Sequence, residues 1–340
     1  MDNKVLVTGG SGFLGMRLIS ELLKQGYDVR TTLRSLKKKD QVIQTMQANQ
    51  VPTEKLSFIE VDLSRDDNWE AAMVGRDYVF SVASPIFFGK VKDEKEVIRP
   101  AIEGTQRVLK FADDADVKRV VMTSNFGAVG FSNLDKASVT TEVDWTKEDQ
   151  PGLSVYEKSK LLAEKEAWKF IKETGTDMEF ATVNPVAIFG PSLDEHVTGS
   201  FNTIKYMTNG AGRLPNIALN VVDVRDVAQI HILAMTTPEA DGKRFIASAD
   251  GQITMPEIAE MLRAQRPEVA ESVTTRVLPD FVLKMSALFN KQAKEAKLLL
   301  EINRNVSNQQ ARNVLGWEPI ADQEAAILNA TDSMIKFNLI

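Results

Sequence analysis

Short apolar runs and amphipathic stretches alternate along the first half of the chain. Val5–Val7 form a short apolar run, which reads as a buried strand, and FLGMRLISELLKQG follows with apolar residues at helical spacing. YDVRTTL alternates as a second strand does. LSFIEVDL, RDYVFSVAS and KRVVMTS come next, each short, apolar and flanked by turn residues. Between them KEVIRPAIEGTQRVLKFADDA carries an apolar stripe of Ile98, Ile102, Val108 and Leu109, loosened by Pro100 and Gly104. SVYEKSKLLAEKEAWKFIKETG is a further helix and leads into the strand MEFATVNP. Strands alternating with helices predict right-handed crossovers and a doubly wound parallel sheet with helices on both faces. Ligands then sit at the carboxyl ends of the strands.

Beyond residue 185 the pattern loosens. HVTGSFNTIKYMTNGAGRLP predicts a helix and a glycine-rich loop, NVVDVRDVAQIHILAM a strand and a helix, and GKRFIAS another strand. From MPEIAEMLRAQ onward helical segments meet at Pro267, Pro279 and Pro319. This predicts a smaller, mainly helical lobe that returns to the main sheet. The expected division is 1–185 with about 219–249 as the ligand-binding sheet domain, and 186–218 with 250–340 as the substrate lobe.

The joint between the first strand and the first helix holds Gly9, Gly10, Gly12 and Gly15. Glycines there let the chain turn sharply and let another group approach the backbone. The first N–H groups of the helix that opens at Phe13 and Leu14 favour an anion. In a strand–turn–helix context this is the fingerprint of dinucleotide pyrophosphate binding. The end of the second strand then reports on the ribose: an acid there accepts from a free 2′-hydroxyl, and an arginine suits a 2′-phosphate. This strand ends Leu33-Arg34, without the acid, so NADP(H) is expected over NAD. Asp62 and Leu63 end the third strand within reach of the adenine, and Ala83 and Ser84 end the fourth.

Composition excludes several other chemistries. The 340-residue chain has no cysteine, so disulfides and thiolate catalysis are ruled out, and its two histidines make a histidine-rich metal site improbable. A net charge of −6 argues against a nucleic-acid or anionic-membrane binder. The first strand starts too early for a signal peptide and no apolar run approaches a membrane span, so a cytoplasmic location is expected.

Tyr156 and Lys160 lie one turn apart on a predicted helix, on one face. A phenol titrates near pH 10 in water, and an ammonium held beside it lowers that value. The pair suits a general acid that protonates a carbonyl oxygen while hydride arrives from a nicotinamide.

Taken together, Gly9-x-x-Gly12-x-x-Gly15, Thr123-Ser124, Tyr156-x-x-x-Lys160, Asn184 to Pro191 and Leu315-Gly316-Trp317-Glu318-Pro319 resemble the extended short-chain dehydrogenase/reductase family. The resemblance runs through nearly the whole chain. It is strongest to dihydroflavonol-reductase-like aldehyde and ketone reductases within the epimerase/dehydratase superfamily, and it implies a Rossmann fold. It implies further that Tyr156 is the proton donor, that Lys160 binds the nicotinamide ribose and lowers the tyrosine pKa, and that Ser124 hydrogen-bonds the substrate carbonyl. Gly9, Gly12 and Gly15 would hold the pyrophosphate, and Pro185 with Ile188 would flank the nicotinamide. Relatives commonly carry two adjacent serines where this chain has Ser124-Asn125, and an amide donates but cannot relay a proton.

The expected activity is NADPH-dependent reduction of an aldehyde or ketone. A sugar-nucleotide epimerase or dehydratase that retains NAD, and a non-catalytic nucleotide sensor, are the alternatives. Phe87-Phe88, Phe189 and Phe281 to Met285 are candidate walls of an apolar substrate pocket. The expected state is a monomer or a homodimer, with the helices at 93–113 and 154–174 available as a seam.

Overall fold

The computed structural model describes residues 3–84, 93–210 and 212–340. The strands β1 (Lys4–Val7), β2 (Asp28–Leu33), β3 (Leu56–Glu60), β4 (Tyr78–Ser81), β5 (Arg119–Thr123) and β6 (Glu179–Pro185) fall where the apolar runs predict them. The helices between them are α1 (Phe13–Lys24), α2 (Lys39–Ala48), α3 (Trp69–Met73), α4 (Lys95–Asp113) and α5 (Val155–Thr174). Downstream lie β7 (Ala187–Phe189), α6 (Phe201–Thr208), β8 (Leu214–Pro215), β9 (Ala218–Leu219), β10 (Val221–Asp223), α7 (Val224–Thr236) and β11 (Arg244–Ala247).

Among the described residues seven strands form one sheet in the order β11-β6-β5-β4-β1-β2-β3, and every pairing in it is parallel. A parallel sheet must be covered on both faces. On one side α1 and α7 pack together, in a core that includes Phe13, Leu18, Val227 and Ile230. On the other side α3, α4 and α5 bury Trp69, Val108, Leu109 and Ala163 against Leu6, Val79 and Val120. From β1 the chain winds outward to β3, then crosses back to β4 and winds the other way. That reversal places a crevice at the carboxyl ends of β1 and β4, the usual ligand position in such sheets.

Beyond residue 185 the chain returns to the main sheet once among the described residues. β11 pairs with β6 (Phe245 opposite Val183), whereas β10 pairs with β7 in a separate two-stranded sheet. The segment Leu315–Pro319 is anchored by charge. Asp226, fully buried on α7, accepts from Trp317 Nε1 at 3.1 Å and from the Ile320 amide at 2.7 Å. Burial raises the pKa of that carboxyl, and these donors oppose the rise. Among the described residues no helix is long and apolar enough to cross a membrane, and no cluster of His, Asp or Glu is placed to hold a metal.

Candidate active site

The glycine joint is built as its spacing predicts. Gly9 adopts φ +75°, a conformation that L side chains rarely take. At Gly15 a Cβ would lie 2.3 Å from the Gly9 carbonyl oxygen, so the helix can start here only with glycine. Gly12 caps α1 with no side-chain acceptor and no acid in the first turn, which leaves the N–H groups near Phe13 and Leu14 uncapped. Thr8, at the end of β1, ties the turn to the next strand: its hydroxyl oxygen accepts from the Val82 and Ala83 amides, both at 2.9 Å.

Around this turn the other strand ends converge. Arg34 is exposed directly after the buried Leu33, so its guanidinium is free to meet a phosphate at the surface. Asp62 Oδ1 accepts from the Ser64 amide at 2.8 Å and the Ser64 hydroxyl at 2.7 Å, and those bonds hold its carboxyl below the usual range. Leu63, Ala83, Ser84, Thr123 and Lys160 line one narrow crevice. Of the sequence-predicted residues, Leu63, Ala83, Ser84 and Lys160 are thus brought together, whereas Asp62, Ser124 and Tyr156 do not line this crevice. Pro185 ends β6 beside β11, and Ile188 lies on β7 opposite Val222.

Ser154 caps α5, its hydroxyl accepting from the Glu157 amide at 3.3 Å, and Tyr156 and Lys160 follow inside the helix. Lys160 is 6% exposed, and its ammonium donates to the Thr123 carbonyl at 3.3 Å. Burial pulls this lysine down to about 8, opposed by Glu164 one turn later. Tyr156 behaves differently. The residue is 48% exposed, and desolvation of its phenol with Glu157 beside it pushes the group up to about 12. In this arrangement the Lys160 ammonium is turned to the Thr123 carbonyl.

Ser124 is turned inward. The expected carbonyl contact is 2% exposed, and its hydroxyl donates inward to Glu164 Oε2 at 2.5 Å. The hydroxyl is spent on a buried carboxylate. Its neighbour Asn125 is only partly buried. Asn125 Oδ1 accepts from the Ala128 amide at 3.2 Å at the start of a short 3-10 turn, so the Nδ2 hydrogens have no partner among the described residues. Thr123, preceding both, donates through its hydroxyl to His231 Nε2 at 2.7 Å, while His231 Nδ1 lies 2.7 Å from the Val227 carbonyl. Nδ1 must donate to that carbonyl, so Nε2 is the acceptor. Burial pulls His231 down to about 4, and the ring is neutral.

Of the proposed apolar walls, Phe189 is a core residue, 1% exposed and packed 5.9 Å from Phe201. Leu283 is buried, whereas Phe281 and Met285 are exposed. Phe87 and Phe88 lie outside the described residues. The residue that sequence reasoning passed over is Glu164. It is fully buried on the same face of α5 as Lys160, Leu161, Ala163 and Ala167. A carboxylate on an otherwise inward-facing stripe was the available signal.

Comparison with known proteins gives consistent relationships. Residues 6–251 match the 3-beta hydroxysteroid dehydrogenase/isomerase family. The chain is 35% identical to cinnamoyl-CoA reductase 1 of Petunia hybrida over 268 residues, 78% of each chain. It is 32% identical to a Vitis vinifera anthocyanidin reductase over 278 residues, 77% of this chain and 80% of that one. Among solved structures, the yeast methylglyoxal/isovaleraldehyde reductase Gre2 complexed with NADPH superposes with a TM-score of 0.81 at 24% identity, covering 98% and 99% of the two chains.

Proposed function

Because the chain belongs to the 3-beta hydroxysteroid dehydrogenase/isomerase family, within the extended short-chain dehydrogenases/reductases, we infer that it is an NADPH-dependent oxidoreductase that reduces an aldehyde or ketone to an alcohol. The observation that carries this reading is the placement of Tyr156 and Lys160 on α5, with Lys160 in the crevice formed by the ends of β4 and β5. The family relatives named for their reactions are reductases.

The residues present fit the cofactor. A Cβ at Gly15 would fill the cradle at the start of α1, and Arg34 stands where a 2′-phosphate needs a cation and a 2′-hydroxyl would need an acid. Gly9, Gly12, Phe13, Leu14 and Gly15 would hold the pyrophosphate. Asp62 and Leu63 would meet the adenine, and Ala83, Ser84, Pro185 and Ile188 the nicotinamide side. When bound, NADPH supplies the hydride for the carbonyl carbon.

The chain's own part is to hold the carbonyl and deliver a proton. Tyr156 Oη gives its proton to the carbonyl oxygen, so the product leaves as the alcohol. A phenol near 12 is fully protonated at neutral pH, the form in which a proton donor must wait. Lys160 reaches the ribose and, on leaving the Thr123 carbonyl, stabilises the phenolate that the transfer creates. The Asn125 amide is the donor best placed to polarise the carbonyl, since Ser124 is committed to Glu164. We propose the division of labour expected from the chain pattern, with 1–185 and about 219–249 holding cofactor and 186–218 with 250–340 shaping the substrate side.

The test is a panel of aliphatic and aromatic aldehydes and ketones, including isovaleraldehyde, with loss of NADPH absorbance as the readout. Turnover of NADPH that depends on the carbonyl supports the reading. Tightly retained NAD and interconversion of a nucleotide sugar, with no net cofactor consumption, would overturn it in favour of an epimerase.

A further inference from the structure

Glu164 is a fully buried carboxylate that the reaction as described does not use. Five side chains converge on it. Oε2 accepts from Ser124 Oγ at 2.5 Å and from Asn184 Nδ2 at 2.8 Å. Oε1 accepts from Arg244 Nε at 2.8 Å, Thr182 Oγ1 at 3.1 Å and Trp168 Nε1 at 3.4 Å. These donors come from β5, β6, β11 and α5. The same Asn184 amide also reaches the Asn125 carbonyl at 3.3 Å, linking the node to the backbone of the proposed substrate donor.

A structural ion pair between α5 and β11 would need only Arg244. That arginine is already held by the Glu142 and Asp144 carbonyls, at 2.8 Å and 2.7 Å, and stacks 3.7 Å over Trp145. An isolated buried pair of this kind is often no better than an apolar contact. Of the added donors, Ser124 and Asn184 sit at the carboxyl ends of β5 and β6, and Glu164 lies one helical turn beyond Lys160. We propose that Glu164 is the positioning residue of this site: it turns Ser124 inward, fixes the ends of β5 and β6 around the reacting carbonyl, and supplies the anionic charge that Lys160 faces. The inference rests on the reductase reading above and deepens it.

Among the described residues, the carboxylate whose charge bears on Lys160 is Glu164. On α5, Tyr156 lies one turn before Lys160 and Glu164 one turn after. From α7 comes His231, neutral and reached through Thr123, and from β11 comes Arg244 behind Glu164. The crevice residues of α4 and β4 (Ala101, Gly104, Thr105, Ser81) do not titrate. Burial lowers the lysine and Glu164 opposes that lowering. Removing the carboxylate therefore shifts deprotonation of Lys160 to lower pH.

The experiment measures NADPH affinity by calorimetry across pH, and isovaleraldehyde turnover, for wild type, Glu164→Gln, Glu164→Asp and Lys160→Met. In Glu164→Gln the midpoint at which NADPH binding weakens with rising pH should move down by about one unit, and kcat should fall by about 10- to 100-fold as the strand ends shift. Glu164→Asp keeps the charge but loses reach, so its midpoint should hold while kcat falls. Urea unfolding at neutral pH measures the purely structural loss in each variant. A Glu164→Gln midpoint equal to wild type, alongside reduced stability, overturns the inference and leaves a structural anchor. Should Glu164→Gln not fold, an unchanged kcat in Glu164→Asp overturns it instead. Lys160→Met with wild-type NADPH affinity at every pH sinks the site reading itself, and the inference with it.

Discussion

Ser124 and Asn125 are adjacent, and the proposed function gives them opposite duties, so a pair of single substitutions should separate stability from turnover. Ser124→Ala removes a hydroxyl that is 2% exposed and donates to a charged acceptor at 2.5 Å. A hydrogen bond to a charged group contributes about 1.5–3 kcal/mol. Glu164 Oε2 keeps the Asn184 amide at 2.8 Å, so the carboxylate is not orphaned and the loss should fall at the lower end of that range. Asn125→Ala has two effects. It deletes one of two acceptors of the Ala128 amide, the Asn125 carbonyl at 3.1 Å remaining, so the capping loss is at most about 1 kcal/mol, and it deletes the Nδ2 donor. Removal of one donor to a developing oxyanion costs roughly 10²- to 10³-fold in kcat. Initial rates with NADPH and a carbonyl compound that the panel shows to be turned over, and urea unfolding of the same preparations, measure both quantities. Asn125→Ser should restore part of the rate, because a hydroxyl can also donate. Asn125→Asp should be no better than alanine, since an anion opposes the charge that develops on oxygen. If Ser124→Ala loses more turnover than Asn125→Ala, the inward-facing serine is not the whole of its role and the carbonyl contact returns to the hydroxyl.

Three further outcomes follow from the same site. Tyr156→Phe keeps the ring and should lower turnover by about 10²- to 10⁴-fold with NADPH affinity nearly unchanged by calorimetry; a variant that keeps most of its turnover refutes the proton donor. Arg34→Asp should weaken NADPH binding by on the order of 1.5–3 kcal/mol, and equal wild-type affinity for NADPH and NADH would remove the basis for the assignment. His231 falls from 6.5 to about 4 on burial, so its contribution is present above pH 6.5 and lost as pH falls through 4. At 1.36 kcal/mol per unit that is about 3 kcal/mol. Urea unfolding of His231→Gln should accordingly show a flatter pH dependence than wild type over that window, and parallel curves would contradict it.

Much of this was legible in the chain because the signals are local. Strands β1 to β6 are apolar runs, the glycine joint lies within seven residues, and Tyr156 and Lys160 share one turn. The direction of the Ser124 side chain was not legible. It is set by Glu164, forty residues later, and by Arg244 on the edge strand, and no local pattern reports that convergence. Lys160 facing the Thr123 carbonyl is likewise a product of packing between α5 and β5. The pairing of β10 with β7 was hidden for a similar reason: three-residue strands carry little periodicity, and their partner is fixed by the turn after β6.

The position of β1 in the middle of the sheet bears on how the protein is made. β2 follows it closely, but the partner on its other side, β4, begins only at Tyr78. At 5–20 residues per second, the Val5-Leu6-Val7 edge waits through about seventy residues of synthesis, or roughly 4–14 s. The half-sheet from β4 to β11 is then laid down outward from that edge, and its last strand, Arg244–Ala247, arrives well over a hundred residues later still. An unpaired apolar edge invites pairing with other chains, so a nascent chain halted between β2 and β4 is the form most dependent on a chaperone. Slow codons or a stalled ribosome in that interval would cost more soluble enzyme than the same delay after β11.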